Sequence, residues 1–214
     1  MRKKFILFDN DGVLVDTEYW YFRATKQALE ELGVQLDHSV FMKIMISGES
    51  AFELAKAKDV DEGTIRNKMV DRTRYYQNFL RTKDIEIPGV EDTLRQLSKQ
   101  FRMAIVTTSH RADFNIIHKD RSIVSYMDFV LAREDYINSK PDPEPYITGL
   151  QKSGAQPDEV LVVEDSERGL TAALAAGIDC AVVQNDFTKS HDFSKATHTL
   201  KNFSELPKLM EEIG

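Results

Sequence analysis

The chain of 214 residues has one cysteine, Cys180, so no disulfide can form within it. Cysteine usage of this kind predicts a reducing compartment, the cytoplasm. Apolar runs are short: none approaches the ~20 residues of a membrane helix. The opening Met1-Arg2-Lys3-Lys4-Phe5-Ile6-Leu7-Phe8 has the basic-then-apolar order of a secretion signal, but its apolar part ends after four residues at Asp9. That is too short for a signal core, and no membrane association is expected. A basic excess is also missing. The 28 Lys and Arg stand against 35 Asp and Glu, a net charge of -7, which excludes the global positive field of a nucleic-acid binder. An anionic small molecule would have to be held by locally placed cations or a metal. Glycine and proline are sparse, at 10 and 6, and no repeat or low-complexity stretch appears. The remaining composition, 42% hydrophobic and 29% charged, is that of a globular protein, with room for one domain of roughly 150 residues and an insertion.

Short apolar runs alternate with longer amphipathic ones. Phe5–Phe8, Arg102–Val106, Phe129–Ala132, Val160–Val163, Cys180–Val183 and a weaker His198–Leu200 read as strands buried on both faces, hence a parallel sheet. Between them, Val90, Leu94, Leu97 and Phe101 share one helical face, as do Leu170, Ala173 and Leu174 ahead of Gly177. The expected fold class is α/β, a doubly wound, mainly parallel, Rossmann-like sheet. Between the first two strands lie about 90 residues with no convincing strand, where a βαβ unit needs about 30. Helices are expected there over Glu18–Leu32, Ser39–Met45, Ser50–Lys58 and Asp61–Arg81. The economical division is a core of residues 1–15 and 88–214 with a small all-helical cap, 16–87, standing over the end of the first strand.

In open α/β sheets ligands bind beyond the carboxyl ends of the strands. Those ends carry Asp9-Asn10-Asp11-Gly12, Thr107-Thr108-Ser109 and Glu164-Asp165-Ser166. One acid ending a strand is commonly a turn or cap residue. Two acid pairs ending two buried strands point to a site for a hard divalent cation, and an oxygen-only, partly hydrated site suits Mg²⁺. With a metal in place, one aspartate of Asp9-x-Asp11 can attack an electrophile and the other can move the proton, and phosphate is the natural electrophile. Gly12 lets the backbone turn between them. Lys140, between Ser139 and Pro141, is the candidate fixed cation, although a lone loop lysine is more often merely solvated. Thr107 offers a hydroxyl to a phosphoryl oxygen, or simply ends a strand.

These segments resemble, in order, the four motifs of the haloacid dehalogenase superfamily: Phe8-Asp9-Asn10-Asp11-Gly12-Val13-Leu14-Val15-Asp16-Thr17, Val106-Thr107-Thr108-Ser109, Ser139-Lys140-Pro141-Asp142-Pro143 and Val163-Glu164-Asp165-Ser166-Glu167-Arg168-Gly169. The insertion is similar to the helical cap of the β-phosphoglucomutase and phosphoglycolate phosphatase-like branch. The resemblance implies that Asp9 is the nucleophile that becomes an aspartyl-phosphate and Asp11 the general acid/base. It implies that Thr107, Thr108 and Lys140 hold the phosphoryl oxygens. Mg²⁺ would sit on the Asp9 carboxylate, the Asp11 backbone carbonyl and Asp165, with Glu164 beside it. In the cap, Gly48 and Glu49 would face the leaving group, and Asp16 and Ser166 would be structural. Asp11 argues against a dehalogenase. The mutases of this branch carry a histidine and an arginine in the cap where this sequence has Tyr21 and Ala51. The expectation is therefore a Mg²⁺-dependent phosphatase for a small phosphorylated metabolite, acting as a monomer, with a sugar phosphomutase as the alternative.

Overall fold

The structure, a computed structural model, describes residues 3–214; Met1 and Arg2, which open the basic run, lie outside the described residues. Among the described residues six strands form one sheet: β1 (Phe5–Phe8), β2 (Arg102–Val106), β3 (Phe129–Leu131), β4 (Val160–Glu164), β5 (Asp179–Val183) and β6 (His198–Leu200). Between β1 and β2 lie α1 (Glu18–Glu30), α2 (His38–Ser47), α3 (Glu53–Lys56), α4 (Glu62–Thr82) and α5 (Val90–Leu97). Helices α6 (Arg111–Ile117), α7 (Glu144–Ser153), α8 (Glu167–Ala175) and α9 (Leu206–Ile213) follow the later strands. The chain divides into two compact units: one runs to Asp16 and resumes over Glu86–Gly214, and the other is Thr17–Ile85.

The first unit holds the sheet, in the order β3-β2-β1-β4-β5-β6, and each of its pairings is parallel. The chain enters at the middle and winds outward twice, so the fold is the doubly wound α/β sheet. Four apolar residues in a row make β1, all buried, because a central parallel strand is covered on both faces. Leu7, Val106, Val160, Val162 and Val182 pack with Tyr146, Leu170 and Ala173 from α7 and α8. Each such aliphatic side chain contributes on the order of 1.5–3 kcal/mol by burial. The register sets Phe8 level with Ile105 on one side and Val163 on the other, and Asp9 N–H continues the pairing to Val163 O at 2.9 Å. Asp9 and Glu164 therefore leave the sheet as neighbours.

The second unit is helical. The aromatic run at the start of α1 is largely a packing feature: Tyr21 meets Tyr76 edge-on at 5.2 Å, Trp20 meets Phe79 at 5.4 Å, and Phe22 meets Phe41 of α2 at 5.1 Å. Such pairs add about 0.5–1.5 kcal/mol each beyond area burial. The helix expected over Ser50–Lys58 shortens to α3, because Ser50–Phe52 form a turn in which Glu53 N–H bonds Ser50 O at 3.0 Å. Gly48 ends α2 at φ +75°, in the left-handed region that glycine enters at no cost.

Candidate active site

The first acidic loop is built by β1 and its turn. Asn10 O accepts the N–H groups of Leu14 (2.8 Å) and Val15 (3.2 Å), and Gly12 N–H reaches Val15 O at 2.8 Å. Gly12 stands at φ +79°, so the sharp turn there does need glycine. This turn aims Asp9 and Asp11 at different partners.

Asp9 is buried to 8% exposure and receives Lys140 Nζ on Oδ1 at 2.7 Å. The same ammonium donates to Glu164 Oε1 at 2.7 Å and to Val106 O at 2.9 Å, so its three hydrogens each have an acceptor. Lys140 thus acts on Asp9 and Glu164 in this structure. Its loop is tied down by Glu144, whose carboxylate accepts the N–H groups of Ile137 and Asn138, both at 2.8 Å. Burial pushes the Asp9 carboxyl well above the ordinary carboxylate range. Lys140 opposes the rise, while Glu164, Asp165 and Asp11 add to it. Burial also weighs on Glu164, but there Lys140 and the hydrogen bonds win, and its carboxyl is held below the usual range. Burial likewise acts against the charged form of Lys140, yet the two carboxylates raise its pKa.

Glu164 accepts five hydrogen bonds. Oε1 takes Lys140 and the Tyr146 hydroxyl (2.7 Å each), and Oε2 takes Asp165 N–H (3.1 Å), Ser166 N–H (3.2 Å) and Ser166 Oγ (3.0 Å). Ser166 in turn caps α8 by accepting Gly169 N–H at 3.0 Å. Gly169 is where α8 passes closest: a Cβ there would lie 1.8 Å from Glu164 Oε1. Any side chain at 169 would displace the carboxylate that holds Lys140.

Asp11 lies on the other side of the turn. Its Oδ2 accepts Ser109 Oγ at 2.7 Å, Thr107 Oγ1 at 3.2 Å and Asn10 Nδ2 at 3.3 Å. The Thr107 hydroxyl, expected to face a phosphoryl oxygen, gives its hydrogen to Asp11 here and accepts Ser109 N–H at 3.0 Å. Tyr136 fixes the same strand end, donating to Thr107 O at 2.7 Å. Thr108 is the next residue on this loop and is half-buried.

Among the described residues, one group of acidic side chains is close enough together to hold a metal ion: Asp9, Glu164 and Asp165 each offer an oxygen within 4.8 Å of the others. All three are buried. A hard cation such as Mg²⁺ fits an all-oxygen, anionic donor set of this kind. Asn185 orients the third acid, its Nδ2 donating to Asp165 Oδ2 at 2.8 Å and to Gly12 O at 3.4 Å. Sequence reading placed Asp9, Asp11, Thr107, Lys140, Glu164 and Asp165, and the structure brings these six together in the first unit. Gly48 and Glu49 lie in the helical unit, both exposed. Ser109 as a partner of Asp11, Tyr146, Asn185 and His118 were not anticipated. Asn10, a polar residue set between two acids, is the one sequence signal that bears on the last of them.

The sequence matches the haloacid dehalogenase-like hydrolase family model over residues 6–183, and the chain belongs to that family. It is 30% identical over 180 residues to a phosphorylated carbohydrates phosphatase of Thermotoga maritima, covering 81% of this chain and 82% of that one. It is 26% identical to the fructose-1-phosphate phosphatase YqaB of Escherichia coli, over 84% and 95% of the two chains. The crystal structure of a β-phosphoglucomutase of Clostridium difficile superimposes with a TM-score of 0.79 at 21% identity, covering 100% of this chain and 97% of that one. At that identity the likeness speaks for the fold. No helix among the described residues is long and apolar enough to cross a membrane.

Proposed function

We propose that the chain is a Mg²⁺-dependent phosphomonoesterase that hydrolyses a small phosphorylated metabolite through a phosphoryl group carried on Asp9. The observation that carries this reading is the division of labour between two aspartates two residues apart. Asp9 is buried, anchored by Lys140 and set among metal-ligating oxygens. Asp11 accepts instead from the neutral side chains of Asn10, Thr107 and Ser109. That is the pairing a nucleophile and a proton carrier require.

The Asp9 carboxylate attacks phosphorus as the ester P–O bond breaks, and Asp11 gives its proton to the departing alkoxide. Asp11 then takes a proton from water as the water oxygen attacks phosphorus, which frees Asp9 and releases inorganic phosphate. Lys140 favours the ionised form of Asp9 against its burial and aims the carboxylate, and its charge offsets that of the phosphoryl oxygens. Thr107 and Thr108 stand at the strand end where those oxygens are received. Asp9, the Asp11 main-chain carbonyl and Asp165 would hold Mg²⁺, with Glu164 beside them. The cation's chemistry is to neutralise the charge between carboxylate and phosphoryl group.

The named phosphatase relatives support hydrolysis, and so does the absence of the mutase cap residues at Tyr21 and Ala51. Selection of the leaving group is assigned to the helical unit, with Gly48 and Glu49 as its candidates. The test is phosphate release from a panel of sugar phosphates, phosphoglycolate and glycerol phosphate, with Mg²⁺ and with EDTA. Metal-dependent release supports the reading. Transfer from a sugar bisphosphate to a sugar monophosphate, with no release to water, would replace it with the mutase.

A further inference from the structure

Asn10, between the two catalytic acids, is fully buried, and its amide faces two ways. Nδ2 lies 3.3 Å from Asp11 Oδ2, and Oδ1 lies 2.7 Å from Nε2 of His118. His118 follows directly on α6, is 7% exposed, and sits with its ring centroid 4.4 Å from that of Phe114. We propose that His118 is a positioning residue for Asp11, acting through the Asn10 amide. The proposal rests on the phosphomonoesterase reading and deepens it.

The hydrogen positions follow from what each group can do. Oδ2 of Asp11 also accepts from the Ser109 and Thr107 hydroxyls, so this oxygen takes the amide's N–H side. Oδ1 then faces His118 and can only accept, so Nε2 must carry the hydrogen. The other ring nitrogen, Nδ1, is buried with no hydrogen-bond partner. A proton there would add both a buried charge and an unsatisfied donor. Burial draws the His118 pKa down to about 4, with Asp11 opposing and Arg121 reinforcing the fall. His118 is therefore a neutral imidazole in its Nε2–H form, and it locks the amide in one of its two orientations. A flipped amide would set Oδ1 against the Asp11 carboxylate. Asp11 has to stay where it can reach both a leaving oxygen and a water, and this lock restrains it from behind.

Two measurements on the intact protein test this. The first is two-bond ¹⁵N–¹H correlation of the histidine rings, which needs no substrate. His118 is expected as neutral Nε2–H from about pH 5 to about 8, where an ordinary histidine titrates. An Nδ1–H tautomer or an imidazolium in that range overturns the proposal. The second compares His118→Phe with His118→Gln, whose amide can restore a donor, using kcat/KM for an alkyl phosphate and for p-nitrophenyl phosphate. The alkyl ester needs a proton at its leaving oxygen and the aryl ester does not. His118→Phe is expected to lose roughly 10- to 100-fold on the alkyl ester, a part of what a general acid contributes, and far less on the aryl ester. His118→Gln should recover most of the loss. Equal losses on both esters, or no recovery with Gln, refute the positioning role. Should His118→Phe fail to fold, His118→Gln against wild type and the tautomer measurement still decide. A wild type that releases phosphate from neither ester removes the phosphatase reading, and the tautomer result then separates that failure from a failure of the lock.

Discussion

Replacing Lys140 by Met keeps a side chain of similar length and removes the charge that two buried carboxylates share. Lys140 donates to Asp9 and Glu164 at 2.7 Å each and is 4% exposed, so the variant leaves both acids uncompensated in the interior. Removing one partner of a buried ion pair costs about 3–5 kcal/mol, and a chain of this size loses roughly 2–4 °C of Tm per kcal/mol. Urea unfolding at neutral pH should show the full deficit. The sign of its pH dependence follows from the carboxylates. Without the lysine both acids favour the protonated form in the folded state, so the penalty is present at neutral pH and fades as the acids protonate on acidification. Mg²⁺ should restore part of the deficit by standing in for the missing charge. A loss below about 1 kcal/mol, or one that does not change with pH, would refute the bridging role assigned to Lys140.

Three further outcomes are expected. Mg²⁺ at about 100 times its Kd should stabilise the wild type by about 2.7 kcal/mol. Because burial and like charges raise the Asp9 carboxyl, that gain should grow from acid to neutral pH in a melting assay; equal shifts at both would count against Asp9 as a ligand. Gly169→Ala should abolish turnover and destabilise the core unit, since its Cβ would lie 1.8 Å from Glu164 Oε1, and a variant with normal kcat and melting would show that α8 is not needed to hold Glu164. For His118 the folded pKa is lowered, so its contribution is present above the unfolded value of about 6.5 and is lost as pH falls toward about 4. Relative to His118→Gln, the wild type should therefore lose roughly 3 kcal/mol over that window, and parallel curves would contradict the buried neutral imidazole.

The sheet was legible because five of its strands carry a short unbroken apolar run that ends in residues too polar to continue it, as at Phe8-Asp9 and Val163-Glu164, while β6, His198-Thr199-Leu200, gave a weaker signal. The four acids were legible for the same reason: a parallel fold sends strand ends to one edge. Lys140, on a loop that follows no strand directly, was legible through the resemblance of Ser139-Lys140-Pro141-Asp142-Pro143 to a family motif. Helices α6 and α7 were harder to see. The first is seven residues long, and the second opens on Pro143-Glu144-Pro145, which reads as a loop. What the sequence hid altogether are contacts between distant positions. His118 meets Asn10 across 108 residues, and Gly169 looks like an ordinary helical glycine until Glu164 is seen pressed against it. Such pairings depend on how α6 and α8 pack on the sheet, which no local pattern encodes.

The central claim is that the phosphoryl group passes through Asp9. The most direct measurement is acid quench of the enzyme during turnover of a phosphomonoester it hydrolyses, followed by mass spectrometry of the peptide carrying Asp9. A single phosphoryl group on that aspartate, absent with EDTA and absent in Asp9→Asn, which should also lack turnover, is the predicted result. Steady turnover by Asp9→Asn, or phosphate release with no phosphoryl group ever found on that peptide, would contradict the account.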